Sequence, residues 1–234
     1  MDAIGNRDVA LDAAHAAVRV LVNAARMSEE VVMWSSPAFG YARLGDAAST
    51  GSSLMPQKRN PDPFELVRAT ANELTGRFAG ALATVSGVAL SYHRDLQITK
   101  RAVIGIVETA CQAFDAFVRA LRHLSFDRER MNETATQYFT VATDVADALI
   151  STGVSARQAH AAVGAAVSVA ESQARDLDQH DLDTLAQQAG IDNVAAPLDA
   201  PSSVRAKRTA GSTRPEVVEK ALASLRRDLA EFQI

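Results

Sequence analysis

Cysteine and aromatic residues are scarce in this chain. The single cysteine, Cys111, excludes an internal disulfide framework. It ends the apolar run 106–111, with no histidine near it in sequence, and this context predicts a buried thiol rather than a nucleophile. Aromatic residues make up only 5% of the chain, and its alanine-rich faces favour close packing between helices.

Long apolar runs and a strong excess of one charge are also missing. No stretch approaches the roughly 18 apolar residues of a membrane-spanning helix, and the N-terminus has no signal-peptide pattern. The formal net charge is −4 with both signs interspersed, which argues against nucleic acid as the main partner. We therefore expect a cytoplasmic protein that binds neither membrane nor nucleic acid.

Helical periodicity is present nearly everywhere, whereas no segment shows the period of two that is typical of a strand. With 234 residues, 47% of them hydrophobic, the chain can build a sizeable core and two folding units. Three apolar stripes predict long helices: Leu11, Ala14, Val18, Leu21, Ala25 and Val32; Val67, Ala71, Leu74, Phe78, Ala81 and Val85; Val103, Val107, Ala110, Phe114, Phe117 and Leu121. The first helix should end before Ser36-Pro37.

We expect an all-α fold with two parts. Residues 1–124 would form part of a long-helix bundle with a loop at 45–62, and residues 125–234 a small helical C-terminal domain. Gly153 and Gly190 are predicted helix stops in that domain, and Ser212 or Thr213 is predicted to cap the helix opened by Pro215. Helices longer than one small core needs suggest that other subunits cover the remaining apolar surface.

The most informative segment is the loop 51–61, Gly-Ser-Ser-Leu-Met-Pro-Gln-Lys-Arg-Asn-Pro. Its glycine and serines offer free backbone N–H groups, and Pro56 and Pro61 prevent helix on either side. Lys58 and Asn60 add a cation and an amide, which suit chemistry that builds negative charge on a carboxylate. Composition alone would also fit a flexible linker. A phosphate-binding loop is excluded because its second glycine is missing.

Glu65 follows this loop and has two interpretations. The order Asp62-Pro63-Phe64-Glu65 predicts a capping box, with Asp62 as the N-cap and Glu65 at the N3 position. A catalytic role for the same carboxylate is the second interpretation.

A second polar segment runs from Tyr92 to Lys100. Asp95 is predicted to cap a helix on which Gln97 and Lys100, three residues apart, share one face. Lys100 and Arg101 lie near the N-terminus of that helix, where a cation is unfavourable unless an anion is bound, so the pattern suggests a carboxylate ligand. A solvated basic patch is the alternative.

These motifs resemble a known family. Read as G-S-S-x-M-P-x-K-x-N, the loop is similar to the mobile loop of the fumarase/aspartase superfamily, whose members release fumarate from a succinyl group by β-elimination. Its flanks, Ser49-Thr50-Gly51 and Gln57 to Asp62, resemble those of argininosuccinate lyases in particular. The Tyr92 segment and C-terminal landmarks such as Ala142-Thr143-Asp144 are also similar, so the resemblance covers nearly the whole chain.

The resemblance implies a role for each matching residue, with neither metal nor organic cofactor. Ser52 would be the base that removes the proton, Lys58 and Asn60 would stabilise the aci-carboxylate, and Glu65 would orient a histidine from elsewhere in the enzyme. Substrate would be held by the remaining matching residues, Ser53, Tyr92, Gln97 and Lys100. His93, Arg94, Ile98 and Thr99 depart from the usual pattern and affect the expected substrate preference.

The resemblance also implies that the chain corresponds to a C-terminal half. None of its five histidines lies in the histidine motif that would partner Glu65. The expected partners are argininosuccinate and either further copies, in a tetramer, or an N-terminal half. Two alternatives stay open: a superfamily lyase acting on another succinyl substrate, and a non-catalytic helical module that only oligomerises.

Overall fold

The computed structural model describes residues 2–51 and 54–232, with side chains from residue 4 onward. Its contacts divide the chain into two compact units, residues 1–128 and 129–234. Helices dominate both, as the all-α expectation requires. Among the described residues, no helix is long and apolar enough to cross a membrane.

The first unit is built on three long helices. A short helix α1 (Asp2–Gly5) precedes α2 (Asp8–Ser35), and the pair α3 (Asp62–Val85) and α4 (Leu96–Leu121) follows. The core lies between α2, α3 and α4, where Phe64 and Phe117 meet edge to face with ring centroids 5.9 Å apart. As predicted, α2 ends before Ser36.

A two-stranded antiparallel sheet closes one end of this unit. Strand β1 (Ala42–Leu44) pairs with β2 (Leu124–Phe126), with Arg43 opposite Ser125. The sequence shows no period of two in either strand, and the fold remains helical apart from this small sheet. Strands of three residues are too short to show a period of two in sequence, and their pairing depends on the helices that bring residues 42 and 126 together.

Most predicted core positions are buried, but the stripes are offset in places. On α2, Leu11, Ala14, Val18 and Leu21 are buried as predicted, and the stripe then continues through Ala24, Ser28 and Val31 instead of Ala25 and Val32. On α4, Ile106 is buried in place of Val107, and Phe114 is 39% exposed.

The prediction of a buried thiol was wrong, because Cys111 is exposed. Its neighbour Ala110 occupies the core position, and one residue further along a helix turns a side chain by about 100°. Ile104, Cys111 and Phe114 form a second apolar row on α4, at the spacing of seven and three that keeps residues on one face. This second row explains why the sequence stripe was placed one residue off.

The second unit contains shorter helices: α5 (Arg128–Thr136), α6 (Ala142–Ser151), α7 (Ala156–Ser172), α8 (Gln179–Ala189), α9 (Ala200–Ala206) and α10 (Pro215–Glu231). Val145, Leu149, Val163 and Leu182 belong to its core. Gly153 and Gly190 follow helices with positive φ angles of 99° and 70°, so both predicted helix stops are confirmed. The predicted cap of α10 was wrong, since Arg214 is the N-cap and makes no side-chain cap bond.

Asp181 is the polar side chain on which the start of α8 depends. It is 8% exposed and accepts two hydrogen bonds from Arg175, at 2.6 and 3.0 Å. It also closes a capping box with Asp178, whose backbone N–H donates to it at 3.0 Å. The hydrogen bonds from Arg175, with a smaller contribution from the Asp178 amide, lower the pKa of Asp181.

Replacing this carboxylate should weaken the second unit. We expect Asp181→Asn to lower the free energy of unfolding of α8 by about 1.5–3 kcal/mol at pH 7, the range for hydrogen bonds to a charged group. Because the pKa of Asp181 is lowered by folding, its contribution is complete above the ordinary carboxyl pKa of about 3.9 and is lost as pH falls below it. Native-state hydrogen exchange of the α8 amides in urea measures both effects.

The control is Asp183→Asn, an exposed position on the same helix. It should change the stability of α8 by less than about 0.5 kcal/mol. Equal effects of the two variants, or a difference that persists unchanged at pH 3, would contradict the role given to Asp181.

Candidate functional site

The predicted loop follows strand β1 of the first unit. A 3-10 turn at Asp46–Ala48 follows β1, and the Gly45 amide donates to the His123 carbonyl at 2.9 Å. An isolated antiparallel bridge then joins Thr50 to Asn60, with N–H to carbonyl distances of 3.3 and 2.9 Å in the two directions. The segment between them is thus a closed loop whose two ends are held side by side.

Two further contacts fix the base of the loop. The Thr50 hydroxyl donates to the Asp62 carboxylate, and Arg59 forms an ion pair with Asp46. Asp62 lies in the first turn of α3, where a carboxylate also interacts favourably with the helix dipole. Both side chains of the Arg59–Asp46 pair are exposed, so this ion pair contributes little to stability by itself.

The middle of the loop contains a tight turn. The Lys58 amide donates to the Met55 carbonyl at 3.0 Å, with Pro56 and Gln57 as the central residues. Proline is favoured at the first central position of such a turn because its φ is already fixed near the required value. Lys58 is exposed, whereas Asn60 is half-buried at the bridge. Ser52 and Ser53, the predicted base and its neighbour, lie outside the described residues.

Glu65 does not form the predicted capping box, and that expectation was wrong. Pro61 is the N-cap of α3, and its carbonyl accepts from the Phe64 and Glu65 amides at 2.9 and 3.1 Å. The helix therefore starts one residue earlier than the sequence pattern suggested, while Asp62 bonds to Thr50 instead of to α3. The Glu65 side chain is exposed, so it is not committed to a structural role as an N3 cap.

Arg68, one turn after Glu65, ties α3 to α2. It forms an ion pair with Glu29. The hydrogen bond to Glu29, followed by the charge of the same group, raises the pKa of Arg68, and the charge of Glu65 adds a smaller contribution. The first turns of α3 thus place Glu65 beside a cation that already has its own partner.

The second predicted cluster surrounds the start of α4. Gln97 and Lys100 lie on one exposed face of the helix, and Tyr92 in the preceding connection is 47% exposed. Asp95 is the N-cap by position, but the prediction that its side chain caps the helix was wrong. The backbone of Asp95 is already helical. The first amides of the helix donate instead to carbonyls of a tight turn before it, as the Gln97 amide does to the Arg94 carbonyl at 3.0 Å.

The two clusters lie at opposite ends of the first unit. Lys58, Asn60 and Glu65 are at the N-terminal end of α3, whereas Tyr92 follows its C-terminal end. A helix of 24 residues is about 36 Å long at 1.5 Å per residue. Within one chain the loop directly precedes the first turns of α3, which carry Glu65, and Tyr92 shortly precedes the first turns of α4, which carry Gln97 and Lys100. The length of α3 separates the two sets.

The described residues offer no metal-binding group, and the second unit contains cavities of its own. Within residues 2–51 and 54–232, no group of histidine, cysteine, aspartate and glutamate could hold a metal ion. A cavity of about 500 Å³ in the second unit is bordered by Leu149, Val154 and Leu185 and has no ionisable residue in its lining. The groups suited to the expected chemistry belong to the first unit.

Sequence reasoning missed the contacts that hold the loop closed. The Thr50 to Asp62 hydrogen bond and the Thr50 to Asn60 bridge join residues ten or more positions apart, so no local pattern reveals them. The only available signal was a pair of hydrogen-bonding side chains flanking a glycine- and proline-rich segment.

Two family models match the chain. The N-terminal part, residues 1–76, matches a model described as lyase. Residues 139–205 match a model described as argininosuccinate lyase C-terminal. Curated argininosuccinate lyases from Mycolicibacterium smegmatis and Thermobifida fusca are 41% and 40% identical over 100% of this chain, which covers 50% and 49% of their lengths. The chain is thus similar along its whole length to curated argininosuccinate lyases, and the match is consistent with a C-terminal fragment of such an enzyme.

Solved structures of lower identity show the same fold. An EDDS lyase in complex with formate matches 98% of the chain with a TM-score of 0.77 and 24% identity, and the chain covers 48% of it. A class II fumarase from Schistosoma mansoni matches 81% of the chain with a TM-score of 0.64 and 18% identity, with 37% of that structure covered. The chain spans about half the length of the curated relatives it matches.

The hydrogen bond at the loop base gives a direct test. We expect Thr50→Val to increase hydrogen exchange at residue 50 and at Asn60 by roughly fivefold, because one net hydrogen bond is worth about 1 kcal/mol. The measurement is amide exchange in the folded chain. Asp46→Asn, which removes only the exposed pair with Arg59, is the control and should change these rates much less. Identical rates in wild type and Thr50→Val would show that the hydroxyl does not hold the loop.

Proposed function

We propose that this chain is the C-terminal portion of an argininosuccinate lyase, which catalyses the reversible β-elimination of argininosuccinate to arginine and fumarate in arginine biosynthesis. The observation that supports this most strongly is the identity of about 40% to curated argininosuccinate lyases across the whole chain. The second support is that the chain contains each loop residue that such an elimination needs.

The loop residues divide the work of the first step. Ser52 removes a proton from the carbon next to a carboxylate of the succinyl group. Negative charge then builds on that carboxylate, and Lys58 and Asn60 stabilise it as a cation and an amide donor. Breakage of the carbon–nitrogen bond releases arginine and leaves fumarate. Lys58 also favours the deprotonated serine that this step requires.

The closed base and exposed middle of the loop fit this role. The Thr50 bridge and the Asp62 contact fix where the loop begins and ends. Lys58 is exposed next to a tight turn, so closing the loop over substrate would bring it to the reacting carboxylate without disturbing the core.

The remaining roles need a second chain. Tyr92, Gln97 and Lys100 hold the substrate together with Ser53, and Glu65 orients a histidine that this chain does not place beside it. Because the Tyr92 cluster is about 36 Å from the loop along α3, a complete site takes the two clusters from different copies. We propose a homotetramer, completed by the segments that argininosuccinate lyases have N-terminal to this region.

The second apolar row on α4 supports assembly. Ile104, Cys111 and Phe114 are exposed in the single chain, although they lie on one face of a long helix. Exposed apolar side chains on one face of such a helix are suited to packing against another helix.

A non-catalytic assembly module is the second candidate. The separation of the two clusters and the uncovered row on α4 favour it for the isolated chain, since both would be present in a protein that only oligomerises. A superfamily lyase that acts on another succinyl substrate is distinguished by exchanging the substrate in the assay described next.

Fumarate release provides the test of the proposed activity. The chain mixed with an N-terminal half of a related argininosuccinate lyase should release fumarate from argininosuccinate, followed by absorbance. We expect Ser52→Ala to lower kcat by roughly 10²–10⁴-fold in this mixture, the usual contribution of a proton-transferring group. Sedimentation of the variant should be unchanged.

Three outcomes separate the candidates. Activity of Ser52→Ala close to wild type would exclude Ser52 as the base. Assembly without turnover on any succinyl substrate would favour the non-catalytic module. Turnover on a different succinyl substrate only would identify another lyase of the superfamily.

Cys111 reports on assembly separately from activity. Because it lies in the uncovered row on α4, we expect its thiol to react with a thiol reagent in the dilute single chain and to be protected in the assembled tetramer. The measurement is the rate of modification against protein concentration. Phe114→Asp, in the same row, should prevent both the tetramer and the protection. A reaction rate that is independent of assembly would place the interface on another face.

A further inference from the structure

The connection between α3 and α4 contains a strained residue directly before Tyr92. Ser91 has a φ of 80°, in the left-handed region that non-glycine residues seldom adopt. Such conformations persist only where the surrounding structure holds them, and they are concentrated at functional sites. Ser91 is half-buried, so its surroundings are in a position to impose this geometry.

Gly5 supplies that surrounding contact. It is the last residue of α1, and its Cα faces the Ser91 backbone so closely that an added Cβ would lie 2.9 Å from the Ser91 carbonyl oxygen. The same Cβ would lie 3.5 Å from the Ser91 nitrogen and 3.6 Å from its carbonyl carbon. Any larger residue at position 5 must therefore displace backbone rather than a flexible side chain.

The residues around this contact leave the connection little other support. A cavity of about 180 Å³ lies between the α1 end and the connection, bordered by Gly5, Val88, Leu90 and Ser91. Leu90 is 86% exposed, whereas Leu96 at the start of α4 is 3% exposed. The connection thus borders open space beside the Gly5 contact and leads into the buried start of α4.

We propose that Gly5 is a positioning residue for substrate binding: by admitting the Ser91 backbone, it sets the direction in which Tyr92 leaves the connection toward Gln97 and Lys100. Only glycine gives the room that this contact requires. The left-handed turn at Ser91 then fixes the path of the chain into the tight turn that starts α4. This inference rests on the proposed function, in which Tyr92 holds the substrate.

Two pairs of variants test the proposal in the mixture with an N-terminal half. Gly5→Ala should raise the KM for argininosuccinate by roughly tenfold with a smaller change in kcat, because it misplaces a binding group and not the base. Gly164→Ala is the matched control, since no atom lies within 4 Å of a Cβ added there. At the strained position, Ser91→Val should raise KM, because a β-branched residue does not tolerate positive φ, and Ser91→Gly should stay closer to wild type.

Structural readouts on the chain alone keep the proposal separate from the activity. Gly5→Ala should accelerate amide exchange of residues 88–92 by roughly tenfold, and Gly164→Ala should not. With fluorotyrosine incorporated, Gly5→Ala should shift the Tyr92 resonance, identified by its loss in Tyr92→Phe, and leave that of Tyr41 unchanged.

Each combination of results has one meaning. Unchanged exchange and an unchanged Tyr92 resonance in Gly5→Ala would overturn the positioning role whether or not the enzyme is active. Altered readouts with an unchanged KM in an active mixture would overturn it as well. The third case is altered exchange and an altered Tyr92 resonance in Gly5→Ala, combined with no turnover in the mixture that contains the wild-type chain. This result would support the positioning of Tyr92 and count against the proposed function.

Discussion

The length of one helix determines how this protein can assemble a site. Helix α3 rises about 1.5 Å per residue over 24 residues, and its packing against α2 and α4 keeps it in place. The loop precedes its first residue and the Tyr92 segment follows its last. No movement of the loop alone can cross that distance, since the Thr50 bridge and the Asp62 contact hold its base at one end.

The same helices support the proposed assembly. An α-helix has more than one face, and α4 uses one of them for the core around Ile106 and Phe117. Its second apolar row, which ends at Phe114, is more exposed in the described part of the chain. Burying such a row in the proposed subunit contact would remove apolar surface from water.

Sequence reasoning predicted the helices well and the contacts between distant residues poorly. The stripe through Leu11, Val18 and Leu21 was confirmed because burial on a helix follows its own period. Gly153 and Gly190 were confirmed for a similar local reason, the positive φ that ends a helix. The resemblance to argininosuccinate lyases was predicted from the loop signature, which is a property of sequence alone, and the curated relatives confirm it.

The errors have physical causes. Asp62 was predicted to cap α3, yet its carboxylate accepts a hydrogen bond from the Thr50 hydroxyl. Only the folded loop brings Thr50 close enough for this contact. Cys111 was predicted to be buried but is exposed. The prediction failed because an apolar run does not reveal which of its residues face the core. The separation of the two clusters was likewise hidden, since it depends on the direction of α3 and not on any residue type.

The most direct test of this account is a mixing experiment with two inactive variants. Chains carrying Ser52→Ala and chains carrying Lys100→Ala are assembled together with the N-terminal half, and fumarate release is measured. Since each site would take its loop from one chain and Lys100 from another, random mixing should restore roughly a quarter of the sites. Mixing Ser52→Ala with Lys58→Ala should restore none, because both residues lie on the same loop. Recovery in the first mixture alone is the predicted result, and no recovery in it would contradict a site built from separate chains.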